Sequence, residues 1–148
     1  MKEEHLSSSQ TQRDIEKMIV EDLALRHGCA FEKKVKCFEF DFFNEEESII
    51  GEVYCGIDSI SAGSKKKVIT DCFKLVAAEK LFGGVWEKYI VFVDPKIKAY
   101  FEGNSWVSEA IKTFGIKLET VDLSEETLLK LREAKKRQQI GNVKKDAS

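Results

Sequence analysis

Residues 38–55 read FEFDFFNEEESIIGEVYC, and the fold turns on this stretch. From Phe31 to Phe43 the chain alternates with a period of two: Phe38, Phe40 and Phe42 fall on one side, Cys37, Glu39, Asp41 and Phe43 on the other. That is the pattern of a long strand, or of two strands joined by a bend. Glu45-Glu46-Glu47-Ser48 is too polar to bury, and Ile49 to Cys55 resumes the β pattern, so a hairpin with a four-residue turn is the simplest arrangement. In that register Asn44 faces Ile49, Phe43 faces Ile50, and Asp41 comes opposite Glu52. Directly opposed residues hold their Cβ atoms about 4.5–5.5 Å apart. Two carboxylates that close repel unless a proton or a cation lies between them, and a hard divalent metal resolves the conflict. The same count puts Glu39 opposite Tyr54 on the acidic face. It leaves Phe38, Phe40 and Phe42, with their partners Cys55, Val53 and Gly51, to form the core face.

Working outward, residues 1–10 are polar and Ser-rich and read as a disordered leader. Thr11 with Asp14 resembles a capping box, and Ile15, Met18, Ile19, Leu23 and Leu25 follow at near-helical spacing until Gly28. After the hairpin, Gly56 to Ser64 has a loop composition. Lys65 to Phe82 is expected as a largely buried helix with Val68, Ile69, Cys72, Phe73 and Val76 as its stripe, closed by Gly83-Gly84. Tyr89 to Val93 fits a central strand covered on both faces. Segment 96–104 reads either way. Ser105 caps a helix to Gly115, Ile116 to Val121 is a strand, and Ser124 caps a last helix through Leu128, Leu131 and Ala134. The order is α-β-β-α-β-α-β-α: one α/β domain over 11–134, with a basic tail, 135–148, expected to fray.

The length of 148 residues suits one domain, and a 43% hydrophobic, 34% charged composition is that of a globular protein. No apolar stretch approaches the roughly 18 residues of a membrane span, and MKEEHLSSSQ has neither the basic region nor the apolar block of a signal peptide. A cytoplasmic protein with no membrane partner is expected. Cys29, Cys37, Cys55 and Cys72 form no C-x-x-C pair and are expected as buried free thiols. The net charge of −2 does not advertise a nucleic-acid partner, although local basic patches bind one whatever the total. Gly63 to Lys67 lacks P-loop spacing, and Trp86 and Trp106 are expected first as packing residues.

A helix with an acidic residue, a strand with Asp, a hairpin, and Gly-Glu-x-x on the return strand before another helix resembles the PD-(D/E)xK nuclease superfamily. The likeness is carried by Glu16 in RDIEKMIVEDLALRHG, Asp41 in FEFDFF and Glu52 in IIGEVYCG, and covers residues 12–93. It implies the restriction-endonuclease-like fold, a central mixed β-sheet flanked by helices. By that resemblance Asp41 and Glu52 hold Mg²⁺ or Mn²⁺ and Glu16 assists. The family's lysine two positions after the second acid orients or activates the attacking water. Tyr54 stands at that position here, and a phenol supplies no fixed positive charge. The family lets this lysine move to a neighbouring element, which makes Lys67 and Lys74 of the following helix the candidates. Many nucleases of the family act as dimers, the only warrant for a homodimer.

Two functions follow. One is metal-dependent phosphodiester hydrolysis of nucleic acid, DNA before RNA, using Glu16, Asp41, Glu52 and a helix lysine, with Tyr54 able to hydrogen-bond a metal-bound water. The alternative is a catalytically degenerate member of the same fold that binds nucleic acid or protein. The ordinary readings are a solvated sheet face for the acids, a solvated helix end for Lys65-Lys66-Lys67, and an i,i+3 pair for Asp71 and Lys74.

Overall fold

The computed structural model describes residues 8–147, with side chains described from 9 to 138. Five strands form one mixed sheet in the order β1 (Glu32–Val35), β2 (Phe38–Asn44), β3 (Ile49–Tyr54), β4 (Glu87–Phe92) and β5 (Ile116–Thr120). β1, β2 and β3 run antiparallel as a meander, whereas β4 is parallel to β3, and β5 to β4. Parallel neighbours need a crossover, which α2 (Ala62–Phe82) supplies for the first pair. The second crossover is made by α3 (Pro95–Phe101) and α4 (Trp106–Thr113). The ambiguous segment 96–104 is thus largely helical, because Asp94 accepts the Lys96 N–H as an N-cap and Pro95 enters the first turn.

Helices α1 (Ser8–His27) and α5 (Glu125–Ala147) cover one sheet face, where Ile15, Ile19, Leu23 and Leu131 pack on Phe42, Ile49, Val53, Tyr89 and Val91. The opposite face carries α2, α3 and α4, packing Val68, Leu75, Phe101 and Ile111 onto Phe40, Ile50, Ile90 and Phe92. β3 is buried along its whole length. α1 begins three residues ahead of the Thr11 expected to cap it; residues 1–7 of the expected leader lie outside the described residues. The last helix does not stop at Ala134 but continues to Ala147, through a Lys-, Arg- and Gln-rich stretch of good helix formers. Among the described residues no helix is long and apolar enough to cross a membrane.

Residues 31–43 split into two strands at Lys36-Cys37, where Lys36 adopts φ +54°. The expected one-sided core fails in β2. Glu32 pairs with Phe43 but Lys34 with Glu39, so β2 takes four steps where β1 takes two and bulges over Phe40–Phe42. The bulge turns Phe40 and Phe43 toward α2 and Phe42 toward α1, so Phe38, Phe40 and Phe42 do not share a face. Three further expectations are corrected. The buried stripe of α2 is Val68, Asp71, Cys72, Leu75 and Ala78, while Phe73 is 75% exposed. Trp106 is 73% exposed on the first turn of α4. Cys37 is exposed in its turn and Cys29 half-buried, so only Cys55 and Cys72 are buried free thiols.

Gly51 pairs with Phe42 across the hairpin, and a Cβ there would overlap the Phe42 ring. Both residues are fully buried, so the ring has little room to yield. Gly51→Ala is expected to destabilise the protein by about 3 kcal/mol in urea unfolding, with Phe42→Leu in the same chain recovering part of the loss.

Candidate active site

The rungs between β2 and β3 are Asn44↔Ile49, Phe43↔Ile50 and Phe42↔Gly51, the register counted from the turn, and there the regular pairing ends. Asp41 is therefore not in a regular rung opposite Glu52. In place of a ladder bond, the Val53 N–H donates to Asp41 Oδ2 at 2.7 Å, which pins the carboxylate against β3. Glu52 shares the α2 side of β3 with Ile50 and Tyr54 and is 5% exposed. Its carboxyl lies beside that of Asp41, whose charge acts on it and disfavours its ionised form.

α2 closes the site from above. Lys74 Nζ is ion-paired with Glu52 Oε1, donates to the Glu39 carbonyl at 2.9 Å and stands 5.5 Å from the centre of the Phe40 ring. Lys67 and Asp71 lie one turn apart on the same helix face and line the same space. α1 contributes Glu16, whose Oε1 accepts from Gln12 Nε2 at 3.1 Å, and β1 contributes Lys33. The resulting pocket is polar and open, with a volume of about 350 Å³. It brings together Glu16, Asp41, Glu52, Lys67 and Lys74. Tyr54 goes elsewhere: it is 5% exposed, packs edge-on against Phe92 with ring centres 6.0 Å apart, and covers Gly56. A strand residue two places from Glu52 does share its face, but here that position points under the first turns of α2 into the core.

Five carboxylates and three lysines face one another in the pocket. Burial, then the hydrogen bond and charge of Asp41, push the Glu52 carboxyl up to about 9, with Lys74 pulling the other way. Burial also raises Glu16, against the hydrogen bond from Gln12, and raises Asp71, against the charges of Lys67 and Lys74. Asp71 and Lys33 are the site residues that sequence reasoning missed. The i, i+4, i+7 spacing of Lys67, Asp71 and Lys74 was a usable signal, since it sets all three on one helix face.

Glu52 Oε1 is buried and receives no well-directed hydrogen bond, only the Lys74 ammonium beside it. Mg²⁺ commonly takes one or two carboxylates and keeps its remaining positions for water or phosphate oxygen. Asp41 and Glu52 fit that demand, and among the described residues no set of three His, Cys, Asp or Glu forms a fuller cage. Compared with family models, with curated proteins and with solved structures, the chain matched none.

A carboxyl raised on folding makes the native state bind a proton that the unfolded chain has released. Its cost to stability is absent below the unfolded value near 4.5, grows as pH rises, and is complete above about 9. With chelator present, Glu52→Gln is therefore expected to gain stability over wild type between pH 5 and pH 8, on the order of 2 kcal/mol by urea unfolding. An unchanged difference across that range would contradict a raised Glu52 carboxyl.

Proposed function

We propose that this chain is a metal-dependent nuclease of the PD-(D/E)xK type, hydrolysing phosphodiester bonds in nucleic acid, DNA in the first place. The observation that carries the reading is the approach of Lys74 and Lys67 from α2 to the Asp41–Glu52 pair. A charge lost from the strand at Tyr54 is thereby supplied from the next helix. The order α1, three antiparallel strands, α2 and a parallel β4 also suits the restriction-endonuclease-like fold.

Asp41 and Glu52 would hold Mg²⁺ or Mn²⁺, which when bound supplies a polarised phosphoryl oxygen and an acidified water. Asp41 is held in position for this by the Val53 N–H. Lys67, at the open side of the pocket, neutralises charge that develops on the phosphate. Lys74, freed from Glu52, orients the attacking water from the helix side. Glu16 tunes the site through its charge interaction with Asp41.

One observation favours a second reading. Lys74 already satisfies much of the acidic pair, as expected of a degenerate member of the fold that binds nucleic acid without cutting it. Plasmid and single-stranded DNA incubated with Mg²⁺ or Mn²⁺ separate the two. The nuclease requires metal-dependent cleavage that falls at least about 100-fold in Asp41→Ala, Glu52→Ala and Lys74→Ala. Binding without cleavage by the folded wild type selects the second reading.

A further inference from the structure

Asp71 is the buried group in the pocket that the proposed chemistry leaves unused. It is 9% exposed, yet among the described residues no donor lies within hydrogen-bond or ion-pair distance of it. Its carboxylate oxygens line the open pocket and stay accessible, free to receive an ammonium from their own helix. It stands one turn after Lys67 and one turn before Lys74, and the charges of both lysines act on it. Lys74, three residues on along the same helix face, spends its ammonium on Glu52 instead.

That arrangement conflicts with cation binding, because an ammonium and a divalent ion cannot share Glu52 Oε1. On the reading that Asp41 and Glu52 hold a divalent cation, we infer that Asp71 is a positioning residue, the second berth to which Lys74 moves when the cation takes Glu52. The side chain need only swing along its own helix, from the strand acid to the acid three residues back. Lys74 keeps its charge in both places, and its ammonium stays at the edge of the pocket rather than leaving it. Asp71 is thus unpaired in the cation-free state and paired in the loaded one. Lys67, whose charge also reaches Asp71, remains at the open side and is not required for the exchange.

The test is Mn²⁺ binding by calorimetry, with no nucleic acid present, to the full chain and to Asp71→Asn, Lys74→Gln and the double variant. Removing the berth should weaken Mn²⁺ about tenfold, and removing the competing ammonium should tighten it by a similar factor. In the Lys74→Gln background Asp71→Asn should change affinity by less than about twofold, since no lysine is left to rehouse. Wild type that binds Mn²⁺ while Asp71→Asn binds it equally well overturns the berth alone. A loss of the same size in both backgrounds also overturns it, making Asp71 a cation ligand or a structural group. Wild type that binds no Mn²⁺ overturns the metal site and the berth together. If Asp71→Asn does not fold, Lys74→Gln decides: unchanged affinity refutes competition by Lys74.

Discussion

Two carboxyl groups brought side by side inside a protein need a third party, and the placement of the surrounding elements follows from how that need is met. Asp41 and Glu52 meet where β2 leaves its ladder with β3, and the Val53 N–H holds Asp41 at that point. The Lys74 ammonium on Glu52 meets it, and burial beside Asp41 favours the protonated form of Glu52. The backbone that brings the acids together is fixed by the sheet.

The bulge in β2 is the device that makes the pocket. A regular strand would have kept Phe38, Phe40 and Phe42 on one face and given the other wholly to solvent. The extra residues let β2 serve two cores, with Phe40 and Phe43 toward α2 and Phe42 toward α1. Asp41, in the middle of the irregularity, is released from regular pairing and turns its carboxylate to β3. Bulges commonly re-aim a side chain beside a functional site. α2 then lies over the opening with Lys67, Asp71 and Lys74 on its lower face, and α1 brings Glu16 to the rim.

Much of this was legible in the sequence because it depends on local patterns. The polar turn 45–48 set the register of Phe42, Phe43 and Asn44, and Ser105 and Ser124 marked the helix starts they cap. The α2 lysines came from the family resemblance, in which the motif lysine can move to a neighbouring element, not from local patterning. The face of each β2 residue was not legible, since a bulge shifts the period of two without changing composition. Tyr54 misled for a related reason: sharing a face with Glu52 does not mean sharing its pocket once a helix covers half that face. Asp71 looked like half of an ordinary helical pair, and only its burial and lack of a partner set it apart. The exposure of Phe73 and Trp106 depends on how α2 and α4 rotate against the sheet, a tertiary choice that helical spacing leaves open.

Thermal unfolding with and without Mg²⁺ asks whether a divalent cation takes the place of Lys74 at Asp41 and Glu52. A ligand that binds only the native state must raise its melting temperature. Cation binding there requires an upward shift in wild type with millimolar Mg²⁺ over chelator, and its disappearance in both Asp41→Asn and Glu52→Gln. No shift in wild type, or one that survives in both variants, would contradict it.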